Sequence, residues 1–238
     1  MNPFNPRDYT ILIVEDHKFS RRALINMLVR AGYENLLSAQ DGEEALSKLA
    51  KHTVDLIITD INMPKINGLE LIKSVREGKS AAADVTSIIA VTTLSDTATI
   101  AACMTLEIDA FLVKPVTVQN AQEQIKSAVS EPKRLYQKHL YGTVSTEVNF
   151  EVPITEPEPN APKIREVSSQ VFEIENLSEL KEGMIVLENI NAKTGGCLLK
   201  AGTKLNAKLI RRLNELSVII EVHSFYARLD ETQLAHEN

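Results

Sequence analysis

Short apolar runs alternate with longer segments of helical periodicity through about residue 130, and this order constrains the fold more than any other feature. The predicted strands span residues 11–14, 36–39, 54–59, 87–91 and 110–113, and the predicted helices span about 19–31, 42–50, 69–77, 97–106 and 118–129. Continuous apolar runs are typical of parallel strands that are covered on both faces. The sequence therefore predicts an α/β fold with a doubly wound, five-stranded parallel sheet.

Polar side chains follow four of these runs, at the points where the strands end. Glu15 and Asp16 follow the first run, and Asp60, Thr92 and Lys114 follow three others. The carboxyl edge of a parallel sheet is where ligands bind, so we expect these side chains to share one crevice. Three carboxylates in a partly dry site repel one another, and a hard divalent cation with oxygen ligands relieves that repulsion. The pattern therefore indicates an Mg²⁺ site.

The residues from about 8 to 130 resemble the receiver domain of two-component response regulators. The segments that carry the resemblance are TILIVEDHKFSRRAL, VDLIITDINMPKINGLELIKSVR, IIAVTTLSD and AFLVKPVT. The resemblance implies a flavodoxin-like fold and a phosphorelay function in which a histidine kinase or a phosphotransfer protein donates the phosphoryl group. It implies these site residues: Asp60 as phosphoacceptor; Glu15, Asp16, Asp60 and the Asn62 backbone carbonyl as metal ligands; Thr92 and Lys114 as phosphoryl contacts; and Phe111 as the switch aromatic.

The chemistry of the residues agrees with these roles. A carboxylate nucleophile and a phosphoryl donor are both anionic, and Mg²⁺ together with the Lys114 ammonium neutralises that charge. The Lys114-Pro115 bond is a candidate cis peptide. The alternatives are a solvated lysine and, for Thr92, an ordinary strand residue.

The lifetime of the phosphoryl group is expected to depend on three further positions. The resemblance implies that Asn62, Thr93 and Leu94 govern the access of water to the phosphorylated aspartate. Thr93 is bulky and Leu94 cannot orient water by hydrogen bonding. Both features predict slow autodephosphorylation.

The composition is that of a cytoplasmic signalling protein. A length of 238 residues predicts two units, and a net charge of −6 disfavours a polyanion-binding protein. Cys103 and Cys197 are far apart in the sequence, so a disulfide framework is not expected. No apolar stretch approaches the ~20 residues that cross a bilayer, and the first nine residues lack the features of a secretion signal.

A linker is predicted over residues 131–168, where five prolines interrupt a stretch with little periodicity. Within it, RLYQKHLYG brings Leu135, Tyr136, Leu140 and Tyr141 close together in sequence. Three interpretations remain open for this piece: it docks on the receiver, it docks on a partner, or it extends the preceding helix and packs locally.

A small α+β unit is predicted over residues 169–238. Strands at 184–190 and 197–200 flank a turn at Gly195-Gly196, a second turn lies at residues 201–203, and Asn206 is expected to cap a helix with Leu209, Ile210, Leu213 and Leu216 on its apolar face. A final strand at 218–222 completes a ββαβ module. Its small core predicts that it pairs with itself, as in a homodimer, or docks elsewhere.

The segment LSELKEGMIVLENINAKTGGCLLKAGTKLNAKLIRRLNEL resembles a module found beside HD-type phosphohydrolase domains. The hydrolase itself is missing, because the five histidines are scattered and none is followed by aspartate. We expect no enzyme activity beyond self-phosphorylation and autodephosphorylation.

Three function classes compete for the C-terminal unit. The preferred one is phosphorylation-controlled interaction with a downstream protein, and a regulatory subunit of a cyclic-dinucleotide enzyme is an alternative to it. The second is a DNA-binding transcription factor, supported by four basic residues near one face of the predicted helix, Lys204, Lys208, Arg211 and Arg212. Against it, residues 165–238 contain 9 basic and 11 acidic residues, and the helix lies between strands. An output enzyme is the third class and has the least support.

Overall fold

The computed structural model describes residues 4–93, 96–130, 133–147, 171–193, 196–220 and 224–229. The chain divides into two compact units. The first is formed within Met1–Ser95 and Thr105–Phe150, and the second within Asp96–Met104 and Glu151–Asn238.

Five parallel strands form the sheet of the first unit, as the sequence predicts. The strands are β1 (Ile11–Val14), β2 (Leu36–Ala39), β3 (Leu56–Asp60), β4 (Ser87–Thr92) and β5 (Ala110–Val113). Their spatial order is β2-β1-β3-β4-β5, so the chain reverses its direction of winding between β1 and β3. The register places Val14 beside Thr59 and Asp60 beside Val91. The carboxyl ends of the three central strands are therefore level with one another.

Four helices belong to the first unit and end close to the predicted positions. They are α1 (Lys18–Arg30), α2 (Gly42–Leu49), α3 (Gly68–Arg76) and α5 (Val118–Ser130), whereas α4 (Thr97–Thr105) is assigned almost wholly to the second unit. Ile11 and Ile13 share a buried cluster with side chains of α1 and α5, and α2 contacts β1, β2 and α3. The predicted doubly wound fold is confirmed.

A glycine at the start of α3 fixes the loop that follows β3. A Cβ atom added to Gly68 would lie 2.1 Å from the backbone oxygen of Asp60 and 2.7 Å from Cα of Ile61. The Gly68 amide donates to the backbone oxygen of Ile61 at 2.9 Å. Only glycine permits this approach, so α3 begins directly against the backbone of Asp60.

Two small antiparallel sheets and one helix form the described C-terminal part of the second unit. The strands are β6 (Val171–Ile174), β7 (Met184–Val186), β8 (Ile190–Asn191), β9 (Cys197–Leu199) and β10 (Phe225–Leu229), and the helix is α6 (Ala207–Glu215). One sheet has the order β6-β10-β7, and β8 pairs with β9. The Asn206 side chain accepts from the Leu209 amide, as its predicted role as helix cap requires.

The predicted ββαβ order is wrong in three places. The first predicted strand divides into β7 and β8, because the chain bends at Leu187 and Glu188. The predicted strand at 218–222 is a turn at residues 218–219, because the amides of Ile219 and Ile220 donate back to Leu216, and Ile220 forms only an isolated antiparallel bridge with Ala192. Residues 221–222 lie outside the described residues. The strand instead lies at β10, and its partner β6 was not predicted because four residues beside a linker give too short a pattern.

Candidate functional site

Three carboxylates meet at the carboxyl edge of the sheet, where the sequence predicts them. Glu15 and Asp16 follow β1, and Asp60 is the last residue of β3. Their carboxylate oxygens lie within 4.8 Å of one another. Glu15 and Asp60 are buried while Asp16 is exposed. The cluster is therefore open to solvent on the Asp16 side.

Lys114 follows β5 and places its ammonium between two of these carboxylates. Its Nζ atom is 2.8 Å from Asp60 Oδ2 and 3.2 Å from Glu15 Oε2. Burial lowers the pKa of this ammonium, but hydrogen bonding to Asp60 and the charges of Asp60 and Glu15 outweigh burial, and the pKa of Lys114 is raised. The side chain therefore keeps its positive charge at neutral pH. The Lys114-Pro115 peptide bond is cis.

Glu15 is the carboxyl group that the site perturbs most clearly. Burial raises its pKa, and the negative charge of Asp60 raises it further, while Lys114 acts in the opposite direction without cancelling the increase. One lysine thus does not balance the three carboxylates. An additional positive charge at this position would stabilise the ionised cluster.

Backbone contacts hold Asp60 in place. The Ile61 amide donates to Asp60 Oδ1 at 2.8 Å, and the Thr59 hydroxyl donates to the Asp60 backbone oxygen at 2.7 Å. Oδ2 faces Lys114. The two carboxylate oxygens therefore have different partners, which fixes the orientation of the carboxyl group.

Arg21 is a residue of this edge that the sequence reasoning missed. From the start of α1, its guanidinium donates to the backbone oxygens of Glu15 and Asp16, the latter at 3.2 Å. It thereby holds the loop that carries two of the carboxylates. The available signal was a basic residue one helical turn after the acidic pair, on the helix that leaves the site.

The remaining predicted residues occupy neighbouring positions. Thr92 ends β4, and its backbone oxygen accepts from the Lys114 amide at 2.9 Å. Phe111 is buried in β5 opposite Ala90. Asn62 and Thr93 are exposed in the loops that follow β3 and β4. Leu94 lies outside the described residues.

The comparison with known sequences gives the family of this chain. Residues 11–126 match the model of the response regulator receiver domain. A chemotaxis protein CheY homolog of Campylobacter jejuni is 37% identical over 120 residues, which are 50% of this chain and 91% of that relative. This chain belongs to the response regulator receiver family.

Other receiver proteins give the same extent of similarity. The chemotaxis protein CheY1 of Helicobacter pylori is 38% identical over 117 residues, or 49% of this chain and 93% of the relative. The structure of the chemotaxis response regulator CheY4 of Vibrio cholerae covers 50% of this chain and 96% of its own, with 31% identity and a TM-score of 0.45. The family match ends at residue 126.

Two structural properties bear on what this receiver protein binds. Carboxylate oxygens that converge within 4.8 Å are the donor set that a hard cation such as Mg²⁺ prefers, so the residues fit the metal that the family implies. Among the described residues, no helix has the length and apolar character needed to cross a bilayer.

Proposed function

We propose that this protein is a response regulator that accepts a phosphoryl group on Asp60 from a histidine kinase or a phosphotransfer protein. The observation that carries the proposal is the Lys114 ammonium, held within 3.2 Å of both Asp60 and Glu15. A cation fixed beside a buried nucleophilic carboxylate favours phosphoryl transfer, because it reduces the repulsion between the anionic carboxylate and the anionic phosphoryl donor. In the proposal the protein acts in the cytoplasm.

The reaction forms one bond and breaks one. A carboxylate oxygen of Asp60 attacks phosphorus, the bond from phosphorus to the histidine nitrogen of the donor breaks, and the leaving imidazole takes up a proton. Lys114 stabilises the negative charge on the transferred group, and the Ile61 amide keeps Asp60 oriented.

Mg²⁺ would be held by the carboxylates of Glu15, Asp16 and Asp60 and by the backbone carbonyl of Asn62. When bound, it supplies positive charge to the transferred phosphoryl group. Arg21 supports this role by holding the backbone of Glu15 and Asp16.

The signal is proposed to leave Asp60 through Thr92 and Phe111. The Thr92 hydroxyl would donate to the phosphoryl group, which leaves room for the buried Phe111 ring to turn. The surface of β5 and α5 would then change its affinity for a partner. Phe111 has no hydroxyl, so packing alone would carry this switch.

The C-terminal unit is proposed to bind protein, either a downstream partner or a second copy. In the proposal the chain has a receiver (1–130), an intervening segment (131–168) and a small α+β module (169–238). The basic residues on α6 do not form one exposed face, because Arg212 is buried and donates to both carboxylate oxygens of Glu215 at 2.8 Å. This burial favours protein binding over contacts with DNA phosphates.

The test is phosphorylation of the full chain by a small phosphodonor in the presence of Mg²⁺. We expect the wild type to be labelled and Asp60→Asn to lose most of the label, because an amide is a poor nucleophile. Asp8→Asn is the matched control, since Asp8 is exposed near the amino terminus. Equal labelling of wild type and Asp60→Asn would refute the proposal.

A further inference from the structure

The residues that follow α5 lie against the receiver. We call residues 133–147 the strap. The 3-10 helix Lys138–Thr143 lies at its centre and contacts α3. Tyr141 in this helix is only 2% exposed, whereas its neighbours Gly142 and Thr143 are exposed. A buried aromatic ring in a segment this short shows that the strap has a defined binding site on the receiver.

Glu107 anchors the first half of the strap. Its carboxylate accepts from the amides of Tyr136 and Gln137 at 2.9 Å and from the Tyr141 hydroxyl at 2.5 Å. Glu107 is itself 2% exposed, and these donors supply the hydrogen bonds that a buried carboxyl group requires. Burial and the contact with Glu107 raise the pKa of Tyr141, which keeps its hydroxyl protonated as a donor.

Glu107 has a backbone conformation that residues with a side chain rarely adopt. Its φ is +52°, in the left-handed region that favours glycine. Arg76 fixes the position further by donating to the Glu107 backbone oxygen at 3.2 Å and to Asp109 at 3.0 Å. Lys138 of the strap also pairs with Asp84. The anchor is therefore a rigid part of the receiver.

The second half of the strap is tied to α3. Lys73 donates to the backbone oxygen of Val144 at 2.8 Å, and Asn67 Nδ2 donates to that of Thr146 at 2.9 Å. The same Asn67 side chain caps α3 by accepting from the Glu70 amide. Asn67 directly precedes Gly68, which lies against the backbone of Asp60. One side chain thus joins the strap to the loop after the phosphoacceptor.

We propose that the strap is a fixed part of the receiver and that it carries the phosphorylation state of Asp60, through Asn67, to the chain beyond residue 147. The inference rests on the proposed function, because Asp60 must be the phosphoacceptor. A charge change at Asp60 acts on the 61–67 loop, and a shift of that loop alters the Asn67 contact with Thr146. The α3 surface beneath the strap is occupied by this chain, so partners use other surfaces.

The test is amide hydrogen exchange of the full chain, read by NMR with and without beryllium fluoride and Mg²⁺ as the phosphoryl mimic. Fluorine NMR reports whether the mimic is bound. We expect the Tyr136 and Gln137 amides to stay protected in both states and exchange over 143–147 to change by about threefold or more. Asn67→Asp keeps the acceptor for Glu70 but removes the donor to Thr146, so it should abolish the change while the bound-fluoride signal persists.

A second variant tests the docking itself. Glu107→Gly removes the carboxylate at a residue whose φ suits glycine, so we expect the receiver to fold and exchange at Tyr136 and Gln137 to rise. Tyr136→Phe is the control, because that side chain is 52% exposed. Unchanged exchange in Glu107→Gly would overturn the docking. Unchanged exchange over 143–147 with the mimic bound would overturn the coupling, whereas absence of bound fluoride would refute the proposed function and leave the Glu107→Gly result to decide the docking.

Discussion

At the scale of single residues, the site contains more negative than positive charge. Three carboxylates converge there and the Lys114 ammonium pairs with two of them, while burial and the charge of Asp60 raise the pKa of Glu15. In the metal-free protein this raised pKa favours the protonated folded state, so the contribution of Glu15 to stability is present at low pH and is lost as the pH rises through its folded pKa. A bound cation would reverse that preference.

The affinity for Mg²⁺ should therefore depend on pH more strongly than it would with an unperturbed glutamate at this position. Protons compete with Mg²⁺ for Glu15 at pH values above the usual glutamate pKa of 4.5, because burial and Asp60 raise the pKa of this group. We expect Glu15→Gln to bind Mg²⁺ about tenfold more weakly, or ~1.4 kcal/mol, and with a flatter pH profile. Mg²⁺ titration by calorimetry across pH measures both. Identical profiles for the two proteins would contradict the assignment.

Thr93 is expected to prolong the phosphorylated state. Its side chain is exposed in the loop after β4, where we expect its bulk to restrict the approach of water. Thr93→Ala should speed phosphoryl loss by up to about tenfold, equivalent to ~1.4 kcal/mol in the barrier. The decay of labelled protein measures this, with the exposed Thr53→Ala as control. If the alanine variant decays at the wild-type rate, access past Thr93 is not limiting.

The residues of the site were easier to predict than the contacts that support them. Glu15, Asp60 and Lys114 follow apolar runs, so strand ends alone indicate that they meet. Arg21 was missed because a basic residue one turn after an acidic pair is a weak signal by itself, and the backbone oxygens to which it donates carry no sequence information. The partners of Glu107 could not be predicted either, since they lie about thirty positions away.

At the scale of the elements, one arginine joins α3 to two loops. Arg76 is 2% exposed and donates to the backbone oxygens of Asp84, Thr86, Leu106 and Glu107. It also pairs with Asp109, whose carboxylate accepts from the Ile88 amide at 2.7 Å. A single side chain thus links the end of α3 to the amino ends of β4 and β5 by hydrogen bonds.

Removing this side chain should be costly. Arg76→Met leaves Asp109 buried without its cation and deprives four carbonyl groups of a donor, so we expect a loss of about 3–5 kcal/mol in the free energy of unfolding. Arg30→Met, at an exposed end of α1, should cost less than about 0.5 kcal/mol. Urea denaturation measures both. A loss below 1 kcal/mol in Arg76→Met, as a rough limit, would show that the network is dispensable.

Element boundaries in the first unit followed from the sequence because each signal was redundant. Continuous apolar strands, helix caps such as Asn67 and a glycine at the start of α3 agree with one another. In the C-terminal unit the strands have two to five residues, and such short segments do not show a period. Residues 218–222 were predicted to form a strand because most of them are apolar. The amides of Ile219 and Ile220 instead donate to Leu216, so the chain turns directly after α6.

At the scale of the whole molecule, charge argues against DNA as the output target. The full chain carries a net charge of −6, and residues 165–238 have two more acidic than basic residues. DNA affinity comes largely from cations that neutralise phosphates, and the buried Arg212 cannot serve that purpose.

We therefore expect no sequence-selective binding of duplex DNA by the full chain. Fluorescence anisotropy over a series of salt concentrations, with and without beryllium fluoride and Mg²⁺, measures this directly. A steep salt dependence together with preference for one sequence would instead establish the transcription-factor alternative.

The strap also changes where this receiver can be divided. A fragment that ends at Ser130 would contain every residue proposed to contact the phosphoryl group or the metal, yet Glu107 would lose the hydrogen bonds that it accepts from Tyr136, Gln137 and Tyr141. Such a fragment would lack the hydrogen bonds that these donors make to a buried carboxylate, and the recess that holds the tyrosine ring would be empty. Hybrid regulators made by joining this receiver to another output domain should therefore keep the native chain through residue 147, because the strap is part of the folded receiver.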